Sequence, residues 1–352
     1  MSKRAAIAKA AGFESNERQA EHPLLAKSTV VNLAKHIAGA IASASSGKTA
    51  RPSRSGCAQL ALQILVVAAG LRRAALVDAV GLNIQQASAI SLKLASIGQQ
   101  AGASDGEDLG QVRLLFHAPT SQTFVVSRRK SLWTDVAALS DADGTDQDGK
   151  DPVRWIDARY TPAHASPTLS SPDSHVSRLL ASIRKAILED NGHDVLVVSQ
   201  TPANQASEMA SDAQLAGVAL AGFLLEYGAV YCIHDSASLG IASQSEYDVR
   251  SLHALLEAPT EPAFLASPPN CLGSQPLALF KVSWSDEAGS SFELLSFSIP
   301  QCLITEDDIE QRRASLLSVF QDRGEIVSPK SIFARGSMTV RVSCVTLNQV
   351  AL

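Results

Sequence analysis

The chain has 352 residues, 45% of them hydrophobic and 18% charged, with a formal net charge of -5 and an isoelectric point near 5.9. This is the balance of a globular protein with a sizeable core. Its acidic sign and scattered basic doublets (Arg72-Arg73, Arg128-Arg129-Lys130, Arg312-Arg313) offer no electrostatic footprint for nucleic acid or an anionic membrane. The five cysteines, at 57, 232, 271, 302 and 344, include no CxxC pair. Neither a structural zinc site nor a secreted disulfide framework is implied, so a reducing, intracellular setting (cytoplasmic or nuclear) is expected.

The N-terminal stretch "MSKRAAIAKAAGFESNER" has basic amphipathic character, but Glu14 and Glu17 argue against a transit peptide. Residues 24–44 carry Leu25, Val30, Leu33, Ile37 and Ile41 at helical spacing. The stretch "ASASSGKTARPSRSG" comes next, and its first eight residues match a phosphate-binding loop with Ala42 in place of the opening Gly, ending in Gly47-Lys48-Thr49. A phosphate loop joins a strand to a helix, so that backbone amides converge on the phosphates. Here the preceding segment is helical, and Pro52 keeps a helix from continuing beyond Lys48, which makes the stretch a linker. Residues 1–55 are therefore expected to form a helical extension and linker, and 56–352 a single mixed α/β domain.

From Cys57 to about 69 a second helix is apolar nearly all round and should be buried. Its run "LALQILVVAAGL", 12 residues with Gln63 inside, is too short to cross a bilayer. Ala74-Ala75-Leu76-Val77 reads as a short buried strand ending at Asp78, and Asn83 as the cap of a helix from Ile84 to about Ile97. "QVRLLFHA" and "QTFVVSR", separated by Pro119-Thr120-Ser121, predict a hairpin. Residues 140–151, "SDADGTDQDGKD", read as a disordered acidic loop. Neither Gly144 nor Gly149 follows the Asp/Asn set that a calcium loop needs.

The middle of the chain predicts β-α-β-α-β. The strand "PVRWIDA" leads to a helix opened by Pro172, with Val176, Leu180, Ile183 and Ile187 on one face. "DVLVVS" is a continuous apolar strand, a helix runs from about Met209 to Glu226, and Gly228 ends it before the strand "AVYCIH". Right-handed crossovers and a central parallel unit are expected from that order, with helices on both faces. Towards the C-terminus, "PLALFKVSW" and "SFELLSFSI" flank "SDEAGS" as an antiparallel hairpin. Thr305 caps a helix with Glu306, Asp307 and Asp308 in its first turn, Gly324 ends it, and "MTVRVSCVTL" alternates as a last strand. The fold class is thus α/β, with a mixed sheet.

Predicted strands end at Asp78, His117, Asp157, Ser199-Gln200 and His234-Asp235. In doubly wound sheets ligands bind outside the carboxyl ends of the parallel strands, which makes these polar ends a candidate rim. Strands also end in polar caps for purely structural reasons. Within "YCIHDS", Cys232 and His234 would share one face of a strand and Asp235 the other, so a thiol–imidazole nucleophile pair is one reading and a buried thiol with a bonded histidine is the other. Cys57, at an expected helix N-terminus, is a further candidate thiol with His117 as its base. No nucleophile elbow, zinc-binding His-Glu-x-x-His helix or dinucleotide-binding glycine turn occurs, and no cofactor is specified.

Three segments, "AALVDAVG", "AGFLLEYGAVYCIHD" and "PPNCLGSQPLALFKVSW", resemble a eukaryotic family of unknown function that includes the product of an unnamed open reading frame on human chromosome 1. In that family's pattern a helix ends in Leu-Gly-Tyr-Pro before a Val/Tyr strand, and an Asn-Cys-Leu segment precedes Pro-Leu. Tyr227, Tyr231, Asn270-Cys271-Leu272 and Pro276-Leu277 stand at those places, while Glu226 and Ala229 replace the Gly and Pro. The resemblance implies one fold over roughly 57–300 and no known reaction. It draws attention to Asn270 and Cys271 as binding candidates on an irregular loop; a turn held by the Asn side chain, with Cys packed inward, is the structural alternative. The expected function is binding of a protein or small molecule. The rival is a Cys/His- or Asp-dependent hydrolase or transferase working at the strand ends.

Overall fold

A computed structural model describes residues 27–45, 52–101, 108–134, 153–158, 166–170, 174–189, 192, 194–200, 209–232, 247–251 and 270–347. The described helices are α1 (Ser28–Ala44), α2 (Arg54–Ala68), α3 (Ile84–Ala101), α4 (Ser174–Glu189), α5 (Met209–Leu224) and α6 (Glu306–Ile326). The strands are β1 (Ala74–Leu76), β2 (Val112–His117), β3 (Gln122–Ser127), β4 (Arg154–Asp157), β5 (Thr168–Ser170), β6 (Leu196–Gln200), β7 (Ala229–Cys232), β8 (Tyr247–Ser251), β9 (Pro276–Asp286), β10 (Ser291–Pro300) and β11 (Gly336–Thr346). The linker with Gly47-Lys48-Thr49 and the acidic stretch 140–151 lie outside the described residues.

Local chemistry sets the helix starts. Ser53 accepts the Gly56 N–H at 3.0 Å, so α2 begins at Arg54, three residues before Cys57. Asn83 and Gln86 form a reciprocal cap, the Gln86 N–H donating to Asn83 Oδ1 at 2.9 Å and the Asn83 N–H to Gln86 Oε1 at 3.1 Å. Thr305 and Asp308 do the same for α6, which runs past Gly324 to Ile326. In α1, Val30, Leu33, Ala34, Ile37, Ala40 and Ile41 are buried at three- and four-residue spacing and join the core that α2 and α3 share.

The α/β class holds, with parallel and antiparallel strand pairs. The larger sheet has the order β1-β3-β2-β6-β8, with β2 and β6 parallel and the other pairs antiparallel. Its two faces follow the two-residue period of a strand. Ala75, Leu114, Phe116, Val125 and Val197 pack with α1–α3, whereas Ala74, Leu115, Phe124, Val126, Leu196 and Val198 pack with α4 and α5. Helices therefore cover both faces.

The expected central parallel unit is divided between two sheets. β6 takes its place beside β2, while β4 and β7 pair in parallel with each other in a separate sheet, β5-β4-β7. Residues 195–198 are buried throughout, which suits a strand with helices on both sides. In β4 and β7, Trp155 and Val230 turn to α4 and α5, and Ile156 and Tyr231 turn to the core that includes β9 and β10. The C-terminal strands form a third, antiparallel sheet, β10-β9-β11. An extra residue at Leu294 makes a β-bulge in β10 between Glu293 and Leu295.

Helix α5 ends at Leu224, and its left-handed cap is Glu226, not Gly228. Glu226 has φ +60; its N–H reaches Phe223 O at 3.0 Å and the Tyr227 N–H reaches Gly222 O at 2.9 Å, the bond pair of a Schellman cap. Gly228 serves close packing instead, because a Cβ there would overlap Phe297 and Arg312. No helix among the described residues is long and apolar enough to cross a membrane.

Candidate functional site

β1 and β2 both run antiparallel to β3, so Asp78 and His117 close the same rim of the larger sheet. They stand two strand spacings apart, roughly 10 Å. His117 is fully buried, its Nδ1 lies 2.7 Å from Thr120 Oγ1, and its Nε2 has no partner. Burial pushes its pKa down to about 3 from 6.5, so the ring is neutral near pH 7. No hydrogen bond joins it to Cys57, whose thiol is buried in α2 and pushed up by that burial. An activated nucleophile needs the opposite shift.

Asp157 and Cys232 end a different sheet, directly across from one another in the β4–β7 register. Cys271 joins them, its N–H donating to Ala158 O at 3.0 Å while the Ala158 N–H donates to Cys232 O at 2.9 Å. Burial, first, and then the nearby Asp157 push the Cys271 thiol up. Asn270 accepts the Leu272 N–H at 3.2 Å through its side chain. The segment is thus a side-chain-held turn with Cys271, 4% exposed, packed inward. His234 and Asp235 lie outside the described residues.

Asp78 opens onto a sizeable cavity. The cavity measures about 490 Å³ and lies where α2 and β1 meet the end of α5 and the bulge of β10, within the usual range for a small-molecule site. Its apolar wall comes from Leu62, Leu76, Leu225, Phe292, Leu294 and Leu295. Its polar groups are Gln59, Gln63, Arg72, Asp78, Tyr227, Glu293 and Ser296.

Two of these groups carry a buried atom without a partner. Gln63 spends its Nε2 on Leu76 O at 3.0 Å and Asp78 Oδ1 at 3.4 Å, leaving the acceptor Oε1 unpaired. Arg72 donates Nη2 to Leu225 O at 3.1 Å and leaves the donor Nε unpaired. A buried polar atom left unpaired costs ~1–3 kcal/mol, so such atoms in folded proteins are normally met by water or ligand.

Neither Arg72 nor Asp78 is held in a close ion pair, either with the other or elsewhere among the described residues. Glu293 pairs with Lys281 at 3.2 Å. Burial lowers the Arg72 pKa, with Glu226 foremost in opposing it; a guanidinium stays charged regardless. Burial pushes the Tyr227 phenol up, Arg72 pulls it down, and Glu293 and Asp78 add to the rise, which keeps the phenol protonated. Beneath the cavity Glu226 links three elements. Arg323 of α6 donates to it at 2.6 and 3.1 Å, and the Arg73 N–H at 2.8 Å.

Gln63, Arg72 and Glu293 were not singled out by the sequence. The available signals were a lone amide inside an apolar helix and an arginine doublet directly before a buried strand.

Residues 262–352 match the family described as "Domain of unknown function (DUF4504)". The matched span holds Asn270-Cys271-Leu272 and Pro276-Leu277, and gives the cavity the wall from Phe292 to Ser296. Arg72, Asp78 and Tyr227 precede it. No curated protein and no solved structure matches the chain.

Proposed function

We propose that this protein binds a small polar molecule in the cavity beside Asp78, in an intracellular setting. The observation that carries the reading is the pair of orphaned atoms of opposite sense, Gln63 Oε1 and Arg72 Nε, on residues lining one 490 Å³ space. Both atoms are covered as they stand, and a molecule offering one donor and one acceptor would satisfy both once the two side chains turn towards the space. The apolar wall would cover its body, and the Tyr227 hydroxyl adds a group able to donate or accept. The thiols of Cys57 and Cys271, pushed up by burial, weigh against the rival thiol chemistry.

A thermal-shift screen of neutral, cationic, anionic and zwitterionic metabolites tests the reading. A ligand at 100 times its Kd should stabilise the fold by about 2.7 kcal/mol. The shift should vanish in Ser296→Trp, which fills the cavity. If no compound shifts the wild type, or if Ser296→Trp responds equally, the cavity is not the site.

A further inference from the structure

The cavity's charges point to a ligand with two opposite ends. Arg72 and Asp78 line one space, carry opposite charge and form no ion pair with each other; Glu226 and Glu293 act on Arg72 through space, and Asp78 is exposed. Each orphaned atom has the sense of the charge it accompanies. Arg72 Nε is an unpaired donor on the cation, and Gln63 Oε1 is an unpaired acceptor on the side chain that also reaches Asp78. Leu62, Leu76, Leu225, Phe292, Leu294 and Leu295 supply an apolar lining.

We propose that the ligand is an apolar zwitterion of the amino-acid type, free or as a short peptide, with its carboxylate at Arg72 and its ammonium at Asp78 and Gln63. A carboxylate suits the guanidinium, whose in-plane donors match its two oxygens. An ammonium has only donors and suits a carboxylate beside an amide oxygen. A purely anionic ligand would stand against the like charge of Asp78 and leave Gln63 Oε1 unmet. A purely cationic one would stand against the like charge of Arg72 and leave its Nε unmet.

This inference rests on the cavity being a binding site, and its test separates the two. Binding of L-leucine, L-phenylalanine and leucyl-leucine is measured by titration calorimetry, with each compound's methyl ester (no acid charge) and N-acetyl derivative (no amine charge) alongside. At least one zwitterion is expected to bind tenfold or more tighter than both of its derivatives. Arg72→Gln should bring its affinity down to that of the ester, and Asp78→Asn to that of the N-acetyl form. Leucine against leucyl-leucine distinguishes a free amino acid from a peptide. Melting of the unliganded variants checks that each remains folded, and Arg72→Lys, which keeps the charge without the fork, should recover part of the affinity lost in Arg72→Gln. Equal affinity for a zwitterion and its two derivatives overturns the inference. So does a metabolite of another class that binds and is blocked by Ser296→Trp when no zwitterion binds, although the cavity reading then stands. If nothing binds at all, both fall.

Discussion

Glu226 occupies the left-handed region with φ +60, where a side chain other than glycine costs on the order of 1–2 kcal/mol. Glu226→Gly removes that cost, less the ~0.5–1 kcal/mol that glycine loses in chain entropy, for a gain of about 1 kcal/mol. The same change removes the carboxylate that Arg323 grips at 2.6 and 3.1 Å and that the Arg73 guanidinium approaches at 3.8 Å. Arg73 is 3% exposed, so water does not replace the lost partner. Breaking a buried pair from one side costs ~3–5 kcal/mol. The ion pair wins, and Glu226→Gly should lose about 2–4 kcal/mol. Glu226→Ala, which keeps the backbone cost and loses the pair, should lose roughly 1 kcal/mol more than glycine.

Urea denaturation of wild type and both variants reads these differences. A Glu226→Gly protein as stable as wild type would refute the reasoning, because backbone strain would then outweigh the pair. Acid gives an independent reading. Burial pushes the Glu226 carboxyl up, but Arg323 and Arg73 hold it down at about 2 against an ordinary 4.5. The folded pKa is depressed, so the contribution is complete above pH 4.5 and is lost as pH falls from 4.5 to 2. At ~1.4 kcal/mol per pH unit that is about 3 kcal/mol, in line with the mutational figure. The gap between wild type and Glu226→Gly should close over that window.

His117 acts in a different pH window. Its folded pKa of about 3, against 6.5, means that stability is complete above 6.5 and declines as pH falls towards 3, by up to ~5 kcal/mol over the whole span. Between pH 6.5 and 4.5, above the range of Glu226, the slope of stability with pH should be shallower in His117→Gln, and an identical slope would show that the ring is not buried neutral. Two glycines should respond with opposite sign. Gly39→Ala in α1 meets nothing within 4 Å and should stabilise by up to about 1 kcal/mol, whereas a Cβ at Gly336 would occupy the space of the Trp284 ring and should cost about 1–3 kcal/mol or more. Melting temperatures of the two variants check both.

Element type was legible wherever periodicity or a cap announced it, as in the α1 stripe, the Asn83 and Thr305 caps and the hairpin after His117. Sheet membership was not. A run such as Leu196-Val197-Val198 is apolar on both faces and carries no signal of its neighbour, so β-α-β-α-β order alone could not show that β6 pairs with β2 while β4 pairs with β7. The end of α5 was misplaced for a related reason. Glycine at 228 invited the cap, but the left-handed residue is Glu226, held there by contacts with Arg73 and Arg323, which are far away in sequence. Of the site, Asp78 was visible as a strand end. Its companions Gln63, Arg72 and Glu293 come from three separate elements, and only folding gathers them.

That gathering bears on whether the cavity is more than a packing gap. Two departures from local rules border the same space: a bulge that inserts Leu294 into β10, and Gln63 within the apolar helix α2. Two buried polar atoms without partners lie there as well. Stability alone does not call for either departure, since leucine at 63 and a regular pair in β10 would serve the fold as well, and nothing in folding would keep them together. Local inconsistencies that converge on one cavity are what a binding site produces, because its groups are arranged for a partner that folding does not supply. Gln63→Leu is the sharpest expression of that argument. It relieves an unpaired acceptor but gives up the bond to Leu76 O, so stability should change little, while binding of the zwitterion whose ammonium that acceptor meets should weaken.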